Sequence, residues 1–243
     1  MIRSGAVIFS APVFGSRNVP VLLKAGTTFL VALVLLPLIQ IPATSLATDY
    51  FHLGLYVLKE SFIGLMIGFA TLLFMNSFFI AGQVIDTQMG LGITNVIDPL
   101  SRTSIPIIGQ VQFLIATLIF LAINGPYHLI HALLWSYQVL PLADLRFPDA
   151  FGSGLLRISA DMWVIALKVG APAIGTLLLT MIGLGMVAKT VPQMNIFIVG
   201  FPVTIGVGLL SVYVSLFWFR PLVKKLFALL FEQIGFLLSS GGL

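Results

Sequence analysis

His128 and His131 stand three residues apart, a spacing that brings two side chains onto one helix face. Two imidazoles on one face could begin a metal site. No carboxylate or cysteine lies nearby to complete it, and the zinc-protease spacing His-Glu-x-x-His is absent. The pair therefore reads as interfacial or packing histidines. Glu60 and Asp86 bracket an apolar run that starts at Ser61. Charges belong at the two ends of a spanning helix, so both are expected to snorkel to the interface rather than act as acid and base. Lys168 is less comfortable. It falls about one turn inside the apolar run of residues 164–188, four residues before Pro172. A lysine at membrane depth is either a functional or pairing group, or one that snorkels to the interface. The nucleophile-elbow and P-loop motifs are absent, and no two carboxylates pair within a helix. Gly152-Ser153-Gly154 lies in a polar stretch and reads as a flexible link. These residues point away from an enzyme, and they require neither a metal nor a cofactor.

The elements that must position these groups are apolar helices. Of 243 residues, 59% are hydrophobic and 8% charged, against about 25% charged in a soluble domain. So few charges cannot cover a water-facing surface, so the solvent for most of the chain is lipid or other apolar protein. Long apolar runs at residues 21–41, 61–85, 105–123, 164–188 and 196–219 each approach the ~20 residues needed to cross hydrocarbon. A shorter run, 127–140, follows the turn signal Asn124-Gly125-Pro126. Alternating barrel strands are not seen, which leaves helices as the spanning structure. Met1 to Phe14 reads as a short first helix. The net charge of +4 comes from basic residues scattered singly, apart from Lys224-Lys225 beside Arg220. That pattern suits an end facing anionic lipid and the cytoplasm and argues against nucleic acid. The absence of cysteine excludes disulfides and thiolate sites.

Three polar stretches separate the runs: residues 42–60, 83–104 and 141–161. The third marks an internal boundary near Asp161. After it the chain reads as one helical hairpin with an amphipathic tail from Arg220 to Leu238. Pro37, Pro172 and Pro202 lie inside spans, where each removes a helix hydrogen bond. Gly64 with Gly68, and Ala166 with Gly170, place small residues four apart and allow close helix contact. Residues 83–106 mix apolar and polar side chains without period. Met89, Leu91, Ile93, Val96 and Ile97 would be out of place in a solvated loop, Gly90 and Gly92 supply flexibility, and Asp98-Pro99 supplies a turn. Irregular backbone near membrane depth survives only when buried in protein or lining a cavity. The alternative is an ordinary surface loop.

Four blocks in order resemble the FliR family of export-gate proteins. They are Ala11-Pro12-Val13-Phe14-Gly15-Ser16-Arg17-Asn18-Val19-Pro20, then Gln88-Met89-Gly90-Leu91-Gly92 continuing to Asp98-Pro99, then Asn124-Gly125 with His128, and finally the run from Val191-Pro192-Gln193-Met194-Asn195 to Phe201-Pro202. The last block resembles the flagellar rather than the injectisome branch. The resemblance implies an all-α polytopic membrane protein, with a FliP-like part over residues 1–160 and a FliQ-like two-helix hairpin over residues 161–243. It implies assembly with FliP, FliQ and FlhB in the inner membrane of a bacterium, within the flagellar basal body, where unfolded flagellar proteins pass through a central channel. It further implies that the loop at residues 83–106 plugs the closed channel, which makes Gly90, Leu91, Gly92, Ile93, Asn95, Val96, Ile97, Asp98 and Pro99 gate-loop residues. Lys168, Gln193, Asn195 and Pro202 become candidate subunit contacts. The family's first helix is longer than Met1 to Phe14, so either the start lies upstream or this helix is reduced.

A small-solute transporter is the competing reading. Its mid-membrane prolines favour it, while the shortage of intramembrane charge and the lack of an inverted repeat oppose it. A membrane-embedded hydrolase would need a nucleophile–base pair that is not found.

Overall fold

The structure, a computed structural model, describes residues 1–16, 18–39, 50–93, 106–142, 151–193 and 195–239, with the backbone alone at residues 93, 151, 196, 197 and 236–239. Among the described residues the regular elements are all helical. They are α1 (Ile2–Ser10), α2 (Val21–Leu35), α3 (Tyr50–Met89), α4 (Ile107–Ala122), α5 (Gly125–Val139), α6 (Phe151–Thr190) and α7 (Ile196–Ser239). Short 3-10 turns at Leu36–Leu38 and Leu91–Ile93 follow α2 and α3. The all-helical membrane architecture expected from composition is what is found. Four helices (α2 with its 3-10 turn, α3, α6 and α7) are long and apolar enough to cross a membrane, and α4 with α5 makes a fifth span if the two act as one broken helix.

Three helices run well past the apolar segments that announce them. Residues 50–60 were expected to be polar connection but form the first turns of α3. Residues 83–89, expected to be loop, are its last turns. Gly152-Ser153-Gly154, expected to be a flexible link, lies in the first turn of α6. The expected tail from Arg220 continues α7 through Pro221 without a break. Polar residues do not end a helix when their side chains find partners, and a proline in a helix removes only one bond. With 40, 40 and 44 residues, α3, α6 and α7 each reach about 60 Å or more at ~1.5 Å per residue, roughly twice the ~30 Å of hydrocarbon. Each therefore extends beyond the hydrocarbon at one end or both.

The chain forms two compact units that cut across the order of the sequence. One contains Met1–Met75, Phe120–Asp161 and Leu226–Leu243, and the other Asn76–Ile119 and Met162–Lys225. The expected boundary near Asp161 falls within the continuous helix α6.

The first unit is organised around Arg3, whose side chain is fully buried. Its guanidinium donates from Nε and Nη2 to both carboxylate oxygens of Glu60, at 2.9 and 2.7 Å. Nη1 donates to Ser136 Oγ at 3.1 Å and Nη2 to the Leu140 carbonyl at 3.0 Å. The Tyr137 ring lies 4.1 Å from the guanidinium carbon. Three helices, α1, α3 and α5, are thus tied through one planar cation whose fork matches a carboxylate. Glu60, expected to snorkel, is instead buried in this pair, because with Arg3 beside it the carboxylate has a better partner inside than outside. The close contact expected from Gly64 and Gly68 is also present: a Cβ at Gly64 would strike the Arg3 carbonyl, and one at Gly68 would strike the Ser10 side chain. Lys24, near the start of α2, reaches back to the Gly15 carbonyl at 3.0 Å and so closes the turn between α1 and α2. Phe227 packs on Phe74 and Phe120 with ring centroids 4.5 and 5.1 Å away.

Breaking the buried ion pair from one side leaves an uncompensated charge. Glu60→Leu is therefore expected to cost about 3–5 kcal/mol of stability, and the double variant Arg3→Met with Glu60→Leu to recover most of that loss. Thermal unfolding of the purified protein in detergent checks both.

Candidate functional site

The loop singled out by its composition leaves α3 at Met89 and returns at Pro106, and the second unit is built around those two stems. Helix α3 ends because Gly90 takes the left-handed conformation, φ +83°, which only glycine adopts without strain. Its N–H donates to the Thr87 carbonyl at 3.2 Å, and the 3-10 turn Leu91–Ile93 follows. Helix α4 starts after Pro106. Its first amide groups have no partner within the helix. Asp86, one turn before the end of α3, supplies one: Ile108 N–H donates to its Oδ1 and Gly109 N–H to its Oδ2, both at 3.2 Å. A carboxylate at the positive end of a helix dipole is favourable, and in apolar surroundings it answers two donors that water cannot reach. The two stems also touch directly, since a Cβ at Gly82 would collide with the Gly109 backbone. Asp86 is 4% exposed. The expectation that it snorkels is therefore corrected: the helix start of α4 offers it two hydrogen bonds at depth.

Helix α7 holds the outgoing stem from another side. Thr204 Oγ1 donates to the Met89 carbonyl at 3.1 Å, satisfying one of the orphan acceptors at the end of α3. Gly208 lies against the Met89 side chain, and a Cβ there would come within 2.5 Å of it. The Phe201 ring covers Gly90 so closely that a Cβ would approach it to 2.5 Å. Ile85, Met89, Ile108, Ala173, Leu177 and Val212 form the apolar core beneath, and Leu91 packs on it. At Gly92, by contrast, a Cβ would meet none of the described residues within 4 Å. The root of the loop is thus clamped through Gly90 and Leu91, and the clamp ends by Gly92.

Of the residues read from the sequence as gate loop, Gly90, Leu91, Gly92 and Ile93 lie at this root. Asn95, Val96, Ile97, Asp98 and Pro99 fall outside the described residues. The candidate contacts are not gathered into one cluster. Lys168 is exposed in the middle of α6. Gln193 and Asn195 are exposed in the turn between α6 and α7, where the Asn195 carbonyl accepts the Ile198 and Val199 amides at 3.1 and 3.3 Å and starts α7. Pro202 is exposed beside Phe201. His128 packs against Phe231 with ring centroids 5.1 Å apart and the rings tilted by 35°. No group of three or more histidines and carboxylates able to hold a metal ion occurs among the described residues. Sequence reasoning missed Asp86, Phe201, Thr204 and the Gly82–Gly109 crossing. The only local signal was a carboxylate one turn before a glycine that ends a helix; its partners are on other helices.

A family profile described as "Bacterial export proteins, family 1" matches residues 1–230. The chain is similar to the flagellar biosynthetic protein FliR of Bacillus subtilis, with 34% identity over 99% of this chain and 93% of the relative. It is also similar to the FliR proteins of Escherichia coli, 26% identical over 98% of this chain and 91% of the relative, and of Aquifex aeolicus, 28% identical over 88% and 82%.

Two glycines two residues apart are expected to respond differently. Gly90→Ala should destabilise by about 1–2 kcal/mol from the left-handed backbone alone, with a further loss from the Phe201 ring that Phe201→Ala relieves in a double-mutant cycle. Gly92→Ala should change stability by less than about 0.5 kcal/mol. Thermal unfolding of the four variants decides. Asp86→Ala removes two hydrogen bonds to a charged group and should cost about 3 kcal/mol or more, read as a lower midpoint and as faster proteolysis within the loop.

Proposed function

The chain belongs to the bacterial export proteins, family 1, and on that footing we propose that it is a core membrane subunit of the flagellar protein-export gate. In this reading it assembles with FliP and FliQ homologues, meets an FlhB homologue, and helps line the channel through which unfolded flagellar proteins leave the cell. Its place is the bacterial inner membrane, at the flagellar basal body. It performs no catalysis of its own; the driving force comes from partner proteins or from proton flow.

The observation that carries the reading is the clamped root of the loop. A segment of mixed apolar and polar residues with two glycines at its start runs from Gly90 to Pro106. Its two stems are tied by Asp86, and its outgoing stem is docked on α7 by Phe201 and Thr204. A segment of that composition can seal a pore by filling it and still be displaced, while fixed stems return it to one place. Fixed ends around a segment of that composition suit a plug. The apolar faces of α6 and α7 support the assembly, because their most apolar windows are 11% and 28% buried against 61% in α3. Gln193, Asn195 and Pro202, exposed near the turn of this hairpin, are proposed as contacts to neighbouring subunits.

Native mass spectrometry of the chain co-expressed with FliP and FliQ homologues from the same genome tests the assembly. A single copy in a defined hetero-oligomer is expected; a stable homo-oligomer that ignores both partners would favour a transporter. Deleting residues 91–97 in the assembled gate should make the membrane leaky to small ions, measured as planar-bilayer conductance. Unchanged conductance would remove the plug role and leave the assembly role standing.

A further inference from the structure

Helices α6 and α7 carry between them a groove of about 530 Å³, a size typical of ligand sites. Val169 and Pro172 of α6 and Val207, Leu210 and Val214 of α7 are among its walls, with Lys168, Trp218 and Leu222 also on its lining. The helices are joined by a short turn and run antiparallel, so Lys168 and Leu222 share one end and Thr176 and Val207 the other. Pro172 has no N–H to return to the Lys168 carbonyl, which interrupts the α6 ladder along this wall.

Three observations define what fits. First, the hydroxyls on the lining are spent within their own helices. Thr176 donates to the Pro172 and Ala173 carbonyls at 3.1 and 2.9 Å, Ser211 to Gly208 at 2.8 Å and Ser215 to Val212 at 2.7 Å. They therefore offer an occupant carbon surface and no spare donor. Second, the Lys168 end is basic. Exposed Lys225 lies three residues after Leu222 and so on the same face of α7, with Arg220 and Lys224 further around the helix, and no Asp or Glu occurs within the hairpin from Met162 to Phe231. Third, Tyr213, Phe217 and Trp218 are 63, 72 and 76% exposed just before these cations. Exposed aromatic rings followed by basic residues mark the depth of a membrane–water interface.

We propose that this groove binds an anionic phospholipid, with an acyl chain lying along the apolar walls and the phosphate held at a basic rim made by Lys168 of α6 and Lys225, which shares the groove face of α7. A zwitterionic lipid would fill the same walls but bring no net charge to the rim. A partner helix could pack on the same walls but would make no use of the basic rim. The site needs only that the hairpin stand in a membrane, so it stands or falls independently of the export reading.

The test uses the full chain purified in detergent, supplied with phosphatidylglycerol or phosphatidylcholine and followed by native mass spectrometry. A phosphatidylglycerol adduct is expected to survive activation that strips phosphatidylcholine. Lys168→Ala should lower its occupancy about fivefold, Lys168→Arg should keep it, and Val214→Trp, which fills the groove, should remove it. Equal retention of the two lipids, or retention unchanged by both Lys168→Ala and Val214→Trp, would overturn the site and leave ordinary surrounding lipid. A photo-crosslinker placed at Leu210 in the complex with its partners should label lipid. A protein adduct there would overturn the proposal in favour of a partner helix.

Discussion

A polar group inside an apolar helix assembly has no water to fall back on, and each one must be answered by another part of the protein. This constraint explains the placement of Arg3, Glu60 and Asp86. Arg3 and Glu60 would each be costly alone at their depth. Together, with Ser136, the Leu140 carbonyl and the face of Tyr137, they form a closed set in which the guanidinium and both carboxylate oxygens have partners. Asp86 does the same work for a helix end: it answers the amides of Ile108 and Gly109, and the amides in turn answer its charge.

Satisfying these groups has a geometric consequence. A helix end left open in hydrocarbon would unravel or draw in water. An end capped by a side chain from another helix is fixed in position relative to that helix. The start of α4 is fixed to the end of α3 in this way, so the residues between must leave and return through one narrow root. Thr204 and Phe201 extend the same logic to the outgoing strand of the loop, because the Met89 carbonyl is an orphan acceptor and Gly90 is a backbone position that only glycine occupies easily. A loop anchored like this is held at both of its ends. That property connects the packing of the second unit to the sealing role proposed for the loop.

The long helices carry the opposite message. Helices α3, α6 and α7 exceed the thickness of hydrocarbon, and α6 and α7 leave most of their apolar surface uncovered. Surface of that kind is stable only against lipid or against other apolar protein. A subunit of a larger membrane assembly, with lipid occupying the places that protein does not, meets both conditions.

The sequence alone determined the class of the protein. Charge content, the length of the apolar runs and the lack of cysteine or catalytic spacing are sums over residues, and such sums need no coordinates. The four motif blocks were likewise legible, because a family's residues recur in order along a chain. Several helix ends were misread. Residues 50–60 and 83–89 and the Gly152-Ser153-Gly154 run look like connection when only local polarity is weighed, yet all are helix. The roles of Glu60 and Asp86 were misread for the same reason. Both are carboxylates at the edge of an apolar run, and nothing local distinguishes one that reaches for water from one that reaches for a partner. Their partners lie 57, 22 and 23 positions away in the chain. Only tertiary structure brings such groups within hydrogen-bond distance. Close approach of helices depends likewise on which small residues face each other, as at Gly82 and Gly109, and that is settled in three dimensions because a glycine has no side chain by which the sequence could declare its neighbour.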